Sequence, residues 1–158
     1  MQLTRQADYA IRAILHLSAQ DEGSVVQTKE VASRQEIPEK YLPTIMRTLA
    51  RAGIVRTLRG NQGGVMLSRR PDNINLREVI EAIEEPIMIS RCLREQGECN
   101  RDDFCPAYPF LNRIQESLIE HLEETTFADL ILEASQGHGS SKGWQYSRAS
   151  RAREKVPA

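Results

Sequence analysis

A chain of 158 residues, 40% hydrophobic and 27% charged, can bury one core with an added arm and is too short for two independent ones. No apolar run approaches the about eighteen residues that a membrane-crossing helix needs, and the opening MQLTRQADYA has neither the basic segment nor the apolar run of a secretion signal, so a cytoplasmic protein with no membrane partner is expected. Three cysteines cannot all pair, and in a reducing compartment closely spaced thiols point to a metal or redox site rather than a disulfide framework.

The net charge of −1 hides a segregation along the chain. Residues 39–70 carry seven basic side chains against Glu39 alone, whereas residues 71–134 carry five basic and fifteen acidic ones. One compact basic block in an otherwise acidic protein is the footprint of a nucleic-acid contact surface, although a merely solvated basic face has the same composition.

Thr4 caps a first helix over residues 5–19, on which Ala7, Ala10, Ile11, Ile14 and Leu17 recur at helical spacing until Asp21-Glu22-Gly23 ends it. A short strand Val25-Val26-Gln27 leads to Thr28, read as the cap of a second helix that buries Val31 and Ala32, with a turn from Gln35 to Pro38. The third helix must accommodate Pro43, which lacks an amide hydrogen. A start near Glu39 or Lys40 puts that proline in the first turn, where amides have no intrahelical partner. Leu42, Ile45, Met46 and Leu49 then form the buried stripe, Lys40, Tyr41, Thr44, Arg47 and Arg51 face outward, and Gly53 stops the helix.

Two short strands, Ile54 to Leu58 and Gly64 to Leu67, follow, joined by Arg59-Gly60-Asn61-Gln62-Gly63. Helix, helix, turn, helix and β-hairpin make a winged helix-turn-helix, mainly α with a small β-wing, which places its third helix in a major groove. Arg59, at the hairpin tip, is the candidate for the adjacent minor groove. Asn75 and Glu78 make a capping-box-like start for a fourth helix that Pro86 stops. The expected organisation is thus a DNA-binding domain over 1–86, a cysteine-bearing loop over 87–108, a dimerisation helix with a short C-terminal helix over 109–134, and a disordered basic tail over 135–158. In the dimerisation helix, Pro109 to about Glu124, Leu111, Ile114, Leu118 and Leu122 line one face; Thr126 caps the last helix, Phe127 to Glu133.

Six residues separate Cys92 from Cys99 and five separate Cys99 from Cys105, neither being the two-residue gap of a zinc knuckle. Such gaps let a loop wrap something larger than one ion, and an iron–sulfur cluster takes four ligands. The fourth is then a non-cysteine side chain, of this protomer or the other, or an exchangeable small molecule; spacing alone also admits three unligated thiols. His16, His121 and His138 stand apart with no nucleophile beside them, so an enzyme is not expected.

Together the opening Met1-Gln2-Leu3-Thr4 with Asp8-Tyr9-Ala10, the stretch Leu49 to Val55, the wing Arg59 to Val65, the segment Leu76 to Ile80 with Glu84, and the cysteine trio resemble the Rrf-two-type iron–sulfur winged-helix regulators, the IscR-, NsrR- and RirA-like proteins, over residues 1–134. The resemblance implies a dimeric DNA-binding transcriptional regulator, read as a repressor, that answers to iron, nitric oxide or redox state. Its cofactor would be a [4Fe-4S] cluster, able to degrade to [2Fe-2S], on Cys92, Cys99 and Cys105. It further implies DNA contacts from residues 39–52 and Arg59, with Thr28, Lys40, Tyr41, Thr44, Arg47 and Arg51 as the candidates. The DNA partner would be an imperfect palindromic operator.

IscR-like members carry a histidine three residues after the last cysteine, where this chain has Tyr108. NsrR-like members use an aspartate in the partner subunit's first helix, and Asp8 stands at the matching place, although an i,i+4 ion pair with Arg12 equally accounts for it. Pro43 also departs from the polar residue of IscR-like recognition helices, and the six-residue first gap from their usual five, so neither operator sequence nor signal carries over. The alternatives are a cluster carrier or redox protein without sequence-specific DNA binding, and a winged-helix module for protein contacts.

Overall fold

The computed structural model describes residues 2–60, 63–94 and 104–136. Cys99, Asn61, Gln62, His138 and the tail from residue 137 lie outside them. The Thr4 hydroxyl accepts from the Ala7 amide at 3.2 Å and opens α1, Arg5–Ser18, as the sequence predicts. Its Ala7, Ala10, Ala13, Ile14 and Leu17 are buried, because spacing of three and four residues brings them onto one face.

Helix α2 spans Thr28–Arg34. Thr28 is inside it rather than its cap: the Gln27 carbonyl accepts from Glu30 and Val31 at 2.9 and 3.2 Å, so the first turn closes one residue earlier. Helix α3, Leu42–Arg51, begins two to three residues later than the expected Glu39 or Lys40. The Tyr41 amide is spent on the Pro38 carbonyl at 3.0 Å, which makes residues 38–41 a turn, and the first α-helical bond runs from Ile45 to Tyr41. Pro43 falls in the first turn as anticipated, and Leu42, Ile45, Met46 and Leu49 are all buried. At the α2–α3 turn, Glu36 has φ +52°, and the Ile37 amide reaches back to Ala32 at 2.9 Å.

Gly53, at φ +72°, ends α3 and lets the Ile54 amide bond Leu49. Strands β1, Val55–Leu58, and β2, Gly64–Leu67, pair antiparallel with Val55 opposite Leu67 and Leu58 opposite Gly64. The expected strand at residues 25–27 reduces to one bridge, in which Val26 and Val65 exchange both backbone hydrogen bonds, at 2.9 and 2.8 Å. A side chain at Gly64 would put its Cβ 2.3 Å from the Val26 carbonyl oxygen, so this close approach requires glycine.

Helix α4 spans Leu76–Ile83. Asn75 caps it by accepting from Glu78 at 2.9 Å, but the Glu78 carboxylate turns to Arg69 at 2.5 Å, so only half of a capping box forms. Helix α5, Tyr108–Glu124, and helix α6, Phe127–Ser135, complete the described chain. Thr126 caps α6 in a full capping box with Asp129. The helix includes Ser135, which the sequence reading gave to the tail; the Ser135 hydroxyl donates to the Leu132 carbonyl at 2.6 Å. Residue 74 accepts from Phe127 and residue 125 from Leu76, each at 3.0 Å, returning α6 to the core, where Phe127 is fully buried with Ile14, Leu42 and Leu49. Among the described residues no helix is long and apolar enough to cross a membrane.

Candidate DNA interface and cysteine site

Between α2, α3 and the hairpin lies an open groove of about 680 Å³. Thr28, Arg47 and Arg59 line it together with Lys29, Pro43 and Thr57. The fold thereby joins residues from three elements that the sequence placed 31 positions apart at the extremes, Thr28 and Arg59. Thr44 and Arg51 are exposed on α3 outside the groove lining, and Lys40 and Tyr41 sit in the turn that precedes the helix. Among the described residues, Lys40, Arg47, Arg51 and Arg59 form no ion pair, whereas Arg69 and Arg70 of the same basic block are paired with Glu78 and Asp72. The groove side of the block therefore keeps its charge for an anionic partner.

Tyr41 is held rather than free. Its ring lies 5.9 Å from that of Tyr9, the Lys40 ammonium sits 5.0 Å from its centroid, and the Arg12 guanidinium sits 5.8 Å from that of Tyr9. Tyr9 and Lys29 escaped the sequence reading. Lys29 adjoins Thr28 and could have been found by extending the basic block backward, but nothing in the sequence pairs Tyr9 with Tyr41.

Two of the three cysteines, Cys92 and Cys105, are among the described residues. Cys92 lies in a single 3₁₀ turn, Arg91–Leu93, with the Ser90 hydroxyl 3.2 Å from its sulfur. The Cys105 carbonyl accepts from the Tyr108 amide at 3.1 Å, at the first turn of α5. Both are half-buried free thiols, the donor type an iron–sulfur cluster requires, and neither is spent on a disulfide. Asp8 is 56% exposed and pairs with Arg12 at 3.3 Å, the i,i+4 contact that the sequence allowed. Among the described residues no three histidine, cysteine or carboxylate side chains come together, so Asp8 does not join Cys92 and Cys105 within one chain.

Tyr108 is the first residue of α5. His121 sits on exposed α5 with Nδ1 at 2.8 Å from the Ser117 carbonyl, and His16 lies between α1 and α2 with Nδ1 at 3.4 Å from the Gln35 amide. Burial pushes the His16 imidazole below its ordinary range, Glu30 opposing and Arg34 adding to that shift.

A fold of this kind has relatives. The Rrf2 family, described as iron-dependent transcriptional regulators, matches residues 3–133. The chain is 30% identical over 133 residues to the HTH-type transcriptional regulator NsrR of Shouchella clausii, covering 84% of this chain and 89% of that protein. It is 40% identical over 149 residues to the Synechocystis sp. protein slr0846, covering 88% and 97%. Its fold superposes on T. potens IscR with a TM-score of 0.70 at 25% identity, over 92% of this chain and 96% of that one. With a free basic groove on a winged helix and a family match from residue 3 to residue 133, the chain belongs to the Rrf2 family and is a DNA-binding transcriptional regulator, not an enzyme.

Proposed function

We propose that this regulator acts as a dimeric repressor whose operator affinity is set by an iron–sulfur cluster, [4Fe-4S] in its intact form, on Cys92, Cys99 and Cys105, with Asp8 of the partner subunit as the fourth ligand. The observation that carries this reading is the pair of free, half-buried thiols, Cys92 in its 3₁₀ turn and Cys105 at the foot of α5. Asp8 is surface-exposed and, among the described residues, belongs to no cluster of three metal-binding side chains, as suits a ligand donated between protomers. An oxygen ligand beside three thiolates supplies a labile iron that iron supply, nitric oxide or oxidants can displace.

The chain's own residues do the reading. α3 enters the major groove with Thr44 and Tyr41 toward base edges; Lys40, Arg47 and Arg51 contact phosphates, Thr28 contacts the backbone at the start of α2, and Arg59 reaches the minor groove. Dimerisation through α5 presents two such heads about one helical turn, or a multiple of it, apart, hence an imperfect palindrome. The experiment is anaerobic purification with a visible absorption spectrum, followed by duplex binding to the upstream region before and after treatment with chelator, nitric oxide or oxidant. A change of operator affinity of about 5- to 150-fold is the range of an allosteric coupling. Colourless, iron-free protein, or unchanged affinity across the treatments, refutes the sensor while leaving the DNA-binding regulator in place.

A further inference from the structure

Residues 84–90, which lead from α4 to the 3₁₀ turn of Cys92, belong to no helix or strand and bend at both ends, so side chains or water must satisfy their backbone polar groups. The Ile87 amide donates to the Glu81 carboxylate at 3.2 Å. The Ile87 carbonyl and the Ile89 amide are both taken by one side chain from α5: Gln115 Nε2 donates to Ile87 at 2.6 Å, and Gln115 Oε1 accepts from Ile89 at 2.9 Å. A carbonyl at one residue and an amide two residues on are the groups that a neighbouring parallel strand would bond. The Gln115 amide therefore does what the N–H and C=O of one residue of such a strand would do. It is the only buried residue of α5, at 9% exposure, while the apolar residues of that helix remain at least partly open.

The far end of the loop is fixed to the same helix, since Cys105 and Tyr108 form the first turn of α5. An Arg94–Glu85 ion pair closes the near side. We infer that Gln115 is a positioning residue for the cysteine site: by pinning Ile87 and Ile89 it fixes where Cys92 emerges, and makes α5 the template on which both ends of the loop are set. This rests on the reading of the cysteines as cluster anchors for its consequence, although not for the contact itself. Loosening the clasp frees Cys92 and leaves Cys105, held by backbone, where it is.

The test is site-resolved alkylation of the reduced full-length chain, comparing Cys92 with Cys105 in wild type, Gln115→Met and Gln115→Glu. Methionine keeps the length and loses both bonds; glutamate keeps the acceptor for Ile89 and loses the donor for Ile87. Cys92 should be labelled roughly thirtyfold faster in Gln115→Met, the factor that accompanies two typical hydrogen bonds, and about fivefold faster in Gln115→Glu, which loses one. Cys105 should change by less than about twofold, being held by a separate bond. Equal acceleration at both cysteines, or none at Cys92, overturns the inference. Should Gln115→Met fail to fold, hydrogen exchange in the wild type decides: the Ile89 amide is protected if the clasp exists, and exchange at the free-peptide rate overturns it.

In a second arm, anaerobically loaded protein is challenged with chelator and followed by visible absorbance. Faster iron loss in Gln115→Met supports the inference, and equal loss from both proteins overturns its consequence for the site. A wild type that takes up no iron defeats the cluster reading alone, because the alkylation result stands without it.

Discussion

Gly64→Ala tests how the wing is held. Gly64 has no positive φ, so alanine there carries no backbone penalty of its own, and the whole effect must come from the 2.3 Å approach of its Cβ to the Val26 carbonyl oxygen. To relieve that clash the wing must leave Val26, breaking the two hydrogen bonds at 2.9 and 2.8 Å between Val26 and Val65. At about 1 kcal/mol per bond, with a further roughly 1–2 kcal/mol of overpacking strain, the loss is about 3–4 kcal/mol. For a folded unit of this size each kcal/mol lowers Tm by about 3–4 °C, so a fall of roughly 9–16 °C is expected. Arg59 would lose its fixed position over the groove, and fluorescence anisotropy on operator DNA should show a weakening of about tenfold, the scale of a single lost charged contact. Gly23→Ala is the control: unlike Gly64, Gly23 adopts φ +79°, so alanine there carries backbone strain but meets nothing within 4 Å, and stability should drop modestly while operator affinity holds. A Gly64→Ala protein with Tm within about 2 °C of wild type and unchanged affinity would refute the close approach and the role assigned to the Val26 bridge.

Two further outcomes concern the helix-turn-helix itself. Glu36 adopts φ +52°, a conformation that costs a side chain about 1 kcal/mol and glycine almost nothing. Glycine also gives the unfolded chain about 0.4–1 kcal/mol more freedom, so Glu36→Gly should raise stability by no more than roughly 0.5 kcal/mol in denaturant titrations, and a loss of more than about 1 kcal/mol would show that Glu36 is anchored by more than the Ile37–Ala32 bond. His16 has a buried Nε2 with no partner among the described residues, and burial holds its imidazole below the ordinary value of 6.5. Above that value neither the folded nor the unfolded chain is charged at His16, so it adds no pH dependence. As pH falls through it, the unfolded chain takes up a proton that the folded one refuses, so Tm should decline until the depressed folded value is passed. His16→Gln should flatten that decline, and an identical pH profile would remove His16 as its source.

The sequence carried most of the fold because its signals were periodic or local. Leu42, Ile45, Met46 and Leu49 repeat at helical spacing and are all buried, and Thr4, Asn75 and Thr126 cap the helices they were expected to cap. Where it failed, backbone bonds outside the pattern decided. The start of α3 moved because the Tyr41 amide goes to Pro38, and Thr28 lost its capping role because the Gln27 carbonyl closes the turn first. The DNA groove was legible as charge but not as shape. Nothing local says that Arg69 is paired with Glu78, nine residues on, while among the described residues Arg47 and Arg59 have no ion-pair partner. Likewise, the ring of Tyr9 meets that of Tyr41 across 32 positions of sequence, a contact only the packing of α1 against the start of α3 creates.

Helix α5 inverts the usual rule for what a helix buries. The sequence offers Leu111, Ile114, Leu118 and Leu122 as an apolar stripe, yet within one chain these stay partly or fully exposed, and the residue driven inside is Gln115. A 17-residue helix whose apolar residues are at most half-buried against its own domain leaves much of its hydrophobic stabilisation unused within one chain. In the dimer proposed above, the open stripe is the surface that a second copy covers, while the polar position holds Ile87 and Ile89 of its own chain. One helix then faces two ways, apolar residues toward a partner and Gln115 toward Ile87 and Ile89. Under the proposed function, a displacement of Cys92 that pulls on those two backbone groups is carried by α5 to the proposed dimer contact, and operator affinity that is equal in wild type and Gln115→Met, with and without the cluster, would remove that route.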